Sequence, residues 1–164
     1  MAKNKLVVTL PSDKEILLTR VIDAPRELVF QAYTDPKAIP QFWGPRKYTT
    51  MVDKMDVRPS GVWRFIQKDE EGNEFAFNGV YREVKAPEKL VHTFEFEPMA
   101  GHIAVEHVTF EDVGGKTRVA DLMSFDNKED RDGMVESGME SGASELWDRF
   151  EEMLQIMEKE TSRG

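Results

Sequence analysis

Met139-Glu140-Ser141-Gly142-Ala143-Ser144-Glu145-Leu146-Trp147-Asp148-Arg149-Phe150-Glu151-Glu152-Met153-Leu154-Gln155-Ile156-Met157 decides how this chain folds. Within it Met139, Ala143, Leu146, Phe150, Met153, Leu154 and Met157 return at three- and four-residue steps, which draws one apolar stripe along a helix. Glu140, Glu145, Asp148, Arg149, Glu151 and Glu152 lie mostly off that stripe. A helix divided in this way has to bury its stripe, and the surface for it must come from the preceding chain.

That surface is legible upstream, where the period changes to two. Strands are expected over 48–57, 61–67, 74–84, 90–96, 103–110 and 117–125, parted by Pro59-Ser60-Gly61, Glu71-Gly72-Asn73, Ala86-Pro87, Pro98 to Gly101 and Gly114-Gly115. Strands so close in sequence, with no helix between them, pair antiparallel. Glu15–Ile22 adds one more, and the short run 6–10, stopped by Pro11, either joins a sheet edge or frays. Asp23-Ala24-Pro25 reads as a helix start, a capping carboxylate with proline in the first turn, and puts Leu28, Val29, Ala32 and Tyr33 on the apolar side. A second short helix over 36–42 leads into Phe42-Trp43-Gly44-Pro45. The expectation is an α+β fold: a curved antiparallel sheet of six to seven strands around a long C-terminal helix, with two short helices after the first strand.

Length and composition bound the rest. The 164 residues suit one domain, taken as 13–160 after an N-terminal lead-in of 1–12. A net charge of −9 repels phosphate backbones, so no nucleic-acid partner is expected. No apolar stretch approaches the roughly 18 residues of a membrane span, and the run before Pro11 is too short for a secretory leader. With no cysteine, the chain can hold neither a disulfide nor a zinc–thiolate site, and its composition fits the cytoplasm.

Strand parity then sorts the side chains. Trp63 and Phe65 share a face, with Arg64 opposite. Phe75, Phe77, Gly79 and Tyr81 share another, as do Leu90, His92, Phe94 and Phe96. These are more large rings than one helical stripe covers tightly, which signals either a cavity or a filled aromatic core. Met123, Met139, Met153 and Met157 should face the same interior, where flexible thioethers fill irregular gaps or line adaptable surfaces.

Groups that could carry chemistry are few. His102 and His107 stand five apart and His92 on another strand, which is no metal-ligand spacing, so no metal is expected. His92 is the exception in placement, since Leu90 and Phe94 beside it point inward. Glu106 and Asp121 are strand carboxylates that nothing in the sequence brings together. No nucleophile elbow, phosphate loop or H-E-x-x-H is present, and no cofactor is implied. Gly138 and Gly142 fall on one helical face, which means close backbone approach, space left beside the sheet, or simply a helix start.

These residues do resemble a family. Asp23-Ala24-Pro25-Arg26-Glu27-Leu28-Val29-Phe30, Thr34-Asp35-Pro36, Phe42-Trp43-Gly44-Pro45 and Arg58-Pro59-Ser60-Gly61-Val62-Trp63-Arg64 are similar to the opening of the SRPBCC (START-like) superfamily. The branch is the one related to the activator of the heat-shock-protein-90 ATPase. Gly79 to Val84, Pro87 to Val91 and Ser137 to Gly142 continue the likeness, which covers nearly the whole chain. It implies a helix-grip fold with a pocket between sheet and helix, and members that bind lipids, sterols or polyketides or cyclise them. Two departures stand out: Phe42 where the family often has a tryptophan, and Ala143 after Gly142 where it often has another, with Trp147 four residues on. A methyl in place of a ring at Ala143 enlarges or reshapes the pocket.

The leading expectation is a binding module for a small hydrophobic or amphipathic molecule, lipid-like, polyketide-like or aromatic. Its contact residues would be Trp43, Trp63, Phe65, Phe77, Tyr81, His92, Phe94 and Met123 on the sheet side. Gly142, Ala143, Leu146, Trp147 and Phe150 would supply the helix side. Two alternatives stay open. One is a cyclase-, aromatase- or hydratase-type enzyme drawing on His92, Arg64, Glu106, His107 and Asp121. The other is an interaction protein with a chaperone partner, through exposed apolar groups near Phe42 and Trp43.

Overall fold

A computed structural model describes residues 4–163; the first three residues of the lead-in lie outside the described ones. Eight strands form one antiparallel sheet. In chain order they are β1 (Val7–Thr9), β2 (Glu15–Ile22), β3 (Thr49–Met55), β4 (Val62–Lys68), β5 (Glu74–Lys85), β6 (Lys89–Phe96), β7 (Ile103–Val113) and β8 (Lys116–Ser124). Their order across the sheet is β1-β2-β8-β7-β6-β5-β4-β3. From β3 to β8 the chain is a meander; β2 then lies against β8, so the first and last long strands are neighbours. The expected six to seven strands become eight because the run 6–10 does pair at the edge, Val7 opposite Thr19.

Getting from β2 to β3 means crossing from one side of the sheet to the far edge. Helices α1 (Arg26–Tyr33) and α2 (Ile39–Phe42) make that crossing, α1 over β7 and β8, α2 against β3 and the last helix. The start of α1 differs from expectation. Asp23 makes no cap; the amides of Leu28 and Val29 bond to the Pro25 carbonyl instead, and Asp23 pairs with Lys116 at 3.3 Å. A buried hydrogen bond from the Thr117 hydroxyl to the Ala24 carbonyl (2.7 Å) holds this corner.

Two helices follow β8. The first, α3 (Lys128–Glu136), is not legible as a helix from apolar spacing because it has no apolar stripe. It forms on its cap, where Asn127 accepts from the Asp130 amide at 2.8 Å, and Arg131 ties it to the Ser12 carbonyl. The second, α4 (Met139–Arg163), is the long helix. Gly138 sits outside it, at φ 85°, as the left-handed residue that ends α3, so the two glycines do not share a helical face.

The α4 stripe buries Trp147, Phe150, Met153 and Leu154 against the concave face, with Met157 partly buried beside them. Register irregularities between Val52 and Lys54 in β3 and between Tyr81 and Glu83 in β5 bend the strands that wrap the helix. Inward apolar residues form two clusters. The larger joins α1, α2, the middle of α4 and β4–β8 through Phe30, Phe42, Phe110 and Phe150; the smaller gathers Ile16, Leu18, Ala104, Met123 and Phe125 under Met134, Met139 and Ala143. One charged side chain points inward from β2. Arg20, 4% exposed, reaches Asp148 (2.8 Å) and Glu151 (2.9 Å) on α4 and fixes the helix to the sheet. Among the described residues no helix is long and apolar enough to cross a membrane.

Candidate functional site

A cavity of about 680 Å³ opens where the two clusters meet, between the concave face and the first turns of α4. Its wall draws on both: Trp63, Phe65, Tyr81 and Trp147 from the larger cluster, Leu18, Met123, Phe125 and Ala143 from the smaller. Lys47, Met99, His102, Glu129, Gly138 and Ser141 are wall residues exposed to solvent, and they mark its mouth. The surplus of rings is thus resolved both ways, since half of the interior is a filled aromatic core and half is open. In the filled half Tyr33 stacks on Trp147, centroids 5.5 Å apart and planes 6° apart, and Phe42 meets Phe150 edge-on at 4.8 Å.

The aromatic wall is built across three strands. Trp43, from the end of α2, sets its indole edge-on to Phe65 and Phe77 at 5.1 and 5.0 Å. Trp63 lies across Gly79 of the next strand and donates its Nε1–H to the Thr93 carbonyl at 3.2 Å. Any side chain at position 79 would overlap both that indole and the Thr93 carbonyl, which is why a glycine stands inside a central strand. Phe77, Phe94 and Phe96 continue the wall outward.

Where each expected contact residue falls is now plain. Trp43, Trp63, Phe65, Phe77, Tyr81, His92, Phe94 and Met123 line the cavity from the sheet side, and Gly142, Ala143, Leu146 and Trp147 from α4. Phe150 does not reach it; its ring is fully buried beneath, against Phe42 and Trp147. Of the polar candidates, Arg64 faces outward, bonded to Glu97 at 2.8 and 2.9 Å, and His107 points to the other side of β7 from its neighbour Glu106. The apolar surface expected near Phe42 and Trp43 is not there, because Phe42 is fully buried and Trp43 is half-buried and turned into the cavity.

Sequence reasoning left His92, Glu106 and Asp121 on separate strands, and the fold brings them together. β6, β7 and β8 are adjacent; His92 is registered with Glu106, and Asp121 with Val108, one inward position from Glu106. All three are wall residues. The His92 Nδ1 lies 3.0 Å from the Thr93 carbonyl, a group that can only accept, so Nδ1 carries the hydrogen. Burial holds this imidazole below its ordinary pKa, hence neutral, with Nε2 as an acceptor. Nε2 stands 3.6 Å from Glu106 Oε2, which is therefore a polar juxtaposition and not an ion pair.

The two carboxyls sit side by side on β7 and β8, close enough to act on one another. Burial raises both above the usual carboxylate range, and their mutual repulsion raises Asp121 further. Two buried carboxyls side by side ionise together only at a high cost, so the pair favours retaining a proton. Asp121 Oδ1 has no hydrogen-bond partner, and no described lysine or arginine pairs with either group. Tyr33 completes the cluster, its hydroxyl pushed up by burial and then by Glu106 and Asp121. A signal for the pair existed in parity: Glu106 alternates with the inward Ala104 and Val108, and Asp121 with the inward Val119 and Met123. No group of described residues has the makeup of a metal site.

A family model described as Activator of Hsp90 ATPase homolog 1-like protein matches residues 23–155. By structure the chain is similar to a protein from Rhodobacter sphaeroides (TM-score 0.87, 20% identity, 93% of this chain and 99% of that one). It is likewise similar to protein Ms6760 from Mycobacterium smegmatis (0.82, 22%, 91% and 96%). A third is an AHSA1 protein from Silicibacter pomeroyi (0.73, 19%, 87% and 99%). At these identities the likeness concerns the fold. Among curated proteins no sequence matches.

Proposed function

The chain belongs to the Activator of Hsp90 ATPase homolog 1-like family, and from that premise we propose that it binds a small, mostly apolar molecule in the cavity between sheet and α4. The observation that carries this reading is an aromatic-walled cavity of about 680 Å³ with buried polar groups on its wall. Ligand sites commonly enclose roughly 300–1,000 Å³, mostly apolar, with a few placed polar groups that orient the guest. Here the rings of Trp43, Trp63, Phe77 and Phe94 supply the apolar contact, and His92, Glu106 and Asp121 meet the polar end. The cytoplasm suits a cysteine-free binding module of this kind.

An NMR titration with fatty-acid, flavonoid and sterol probes tests it. Shifts should gather on Trp63, His92, Phe94, Ala143 and Trp147. Shifts confined to the convex face, around Arg64, Val62 and Val80, or none with any probe, would overturn it.

The same polar cluster favours one further reading, an enzyme of the cyclase, aromatase or hydratase type. A neutral imidazole acceptor beside a carboxylic acid is suited to moving a proton on a bound carbonyl compound. If so, a bound ketone probe should exchange its α-hydrogens for deuterium faster than in buffer, and Glu106→Gln should remove the excess rate. The chaperone reading keeps its family analogy but loses the apolar surface it relied on.

A further inference from the structure

We propose that the molecule held in this cavity carries a protonated amine, received by the Glu106 and Asp121 carboxyls among the surrounding aromatic rings. This rests on the cavity being a binding site and says what kind of guest it takes. Around the pair the wall is short of donors, the Lys47 ammonium and the Gln67 amide lying on other parts of it. His92 Nε2 accepts, both carboxyls accept, and one oxygen of Asp121, a residue 7% exposed, has no partner at all. What the protein offers beside them in return is the Tyr33 hydroxyl and the proton favoured by the raised pair. A guest ending in a carboxylate or phosphate would bring more acceptors and a like charge. An alcohol would bring one donor. An ammonium group brings up to three, with the charge that two stacked carboxyls lack.

The rings point the same way. Trp63 stands edge-on to His92 at 5.6 Å and Tyr81 at 6.1 Å from the same imidazole, while Tyr33 and Trp147 close the side toward α1 and α4. Aromatic faces attract cations and are indifferent or unfavourable to anions. Around the pair the titratable neighbours are Tyr33 from α1, Tyr81 from β5 and His92 from β6; β2 presents Leu18, and α4 presents Leu146 and Trp147. Burial holds the His92 imidazole below its ordinary pKa and the Tyr33 and Tyr81 hydroxyls above theirs, so among these groups it is the carboxyls whose raised values bring them toward neutral pH. Seating an ammonium ion favours the ionised pair and expels a proton.

The experiment is isothermal calorimetry on the full chain with matched probes on two skeletons: 2-naphthylethylamine, 2-naphthylethanol and 3-naphthylpropanoate, and decylamine, decanol and decanoate. Within each set the amine should bind at least about tenfold tighter than the alcohol, and the carboxylate weakest. Repeating the amine titration in buffers of different ionisation enthalpy should show proton release. Its affinity should also rise between pH 6 and 8 while that of the alcohol stays flat. Asp121→Asn and Glu106→Gln should bring the amine down to the level of the alcohol. Proton release is read on the unaltered protein, so the test survives a variant that fails to fold. Alcohol binding equal to or tighter than amine binding, or amine binding without proton release, overturns the amine assignment and leaves the binding site standing. If no probe of either skeleton binds, the cavity reading itself falls and takes the assignment with it.

Discussion

Replacing Arg20 by methionine should loosen the long helix from the sheet. Arg20 is the charged residue that β2 turns inward, and its guanidinium spans Asp148 and Glu151, one turn apart on α4. Two charge-assisted hydrogen bonds at about 1.5–3 kcal/mol each set the gross loss at about 3–6 kcal/mol. Part is recovered, because Asp148 is 28% exposed and can rehydrate, and because the methionine stem still packs. A net destabilisation of about 3 kcal/mol follows, near the low end for breaking a buried pair. For a chain of this size that is a fall in Tm of roughly 6–12 °C.

The pH dependence sharpens the test. Burial holds the Glu151 carboxyl above its ordinary pKa, and Arg20 opposes that. Without Arg20 the folded-state pKa rises further above the unfolded value. Stability tied to that group is present below the unfolded pKa and is lost as pH rises through the folded one. The deficit of Arg20→Met, measured by urea denaturation, should therefore be larger at pH 7 than at pH 4.5. The double variant Arg20→Met, Glu151→Leu should recover most of the loss, since an apolar pair of similar bulk replaces a buried ion pair at little cost. A deficit under about 1 kcal/mol, or one that does not change with pH, would refute the role given to Arg20.

Gly79→Ala should cost about 1–3 kcal/mol, because the new methyl displaces either the Trp63 indole or the Thr93 carbonyl; denaturation and the indole N–H resonance of Trp63 report it. Ala143→Trp should abolish probe binding with little loss of stability, since the added ring fills a cavity that is already open; calorimetry and thermal melts separate the two effects. Both pair carboxyls have folded-state pKa values above their unfolded ones, so their contribution to stability fades as pH rises from the acid side toward neutrality. Replacing them by Asn and Gln should flatten that slope in denaturation curves taken from pH 4 to 7. His92→Gln should act oppositely: a depressed imidazole loses stability as pH falls below its unfolded value, and that acid-side loss should disappear.

Parity and helical spacing were enough to place the sheet, α4 and most of the cavity wall, because each reports which way a side chain points. They say nothing of what it meets. Phe150 lies on the α4 stripe as surely as Leu146 does, yet Leu146 borders the cavity and Phe150 is sealed beneath it, since Phe42 arrives against it from α2, far away in the sequence. The third helix escaped apolar spacing for a related reason. Its sequence carries an Asn127 cap and the Arg131 tether rather than a stripe, and the tether's acceptor, Ser12, lies at the other end of the chain. Glu106 and Asp121 illustrate the same limit at the site, where the register of β7 on β8, which parity alone does not give, makes neighbours of residues fifteen positions apart.

The two halves of the interior depend on one another. Arg20 and the Phe42–Phe150 contact pin the middle of α4, and from there toward Met139 the helix packs lightly, through Met139 and Ala143 over the smaller cluster. That anchoring accommodates small residues at Gly142 and Ala143, with Gly138 turning the chain just before the helix begins. The space they leave falls beside three strands whose inward positions hold His92, Glu106 and Asp121. Were the same carboxyls packed under Leu or Phe, their desolvation would have no relief in any state of the protein. Facing a cavity, they can be relieved by whatever enters it. A buried acid pair is tolerable at this point of the sheet because the helix opposite is thin, and the helix can be thin because it is anchored a turn further along.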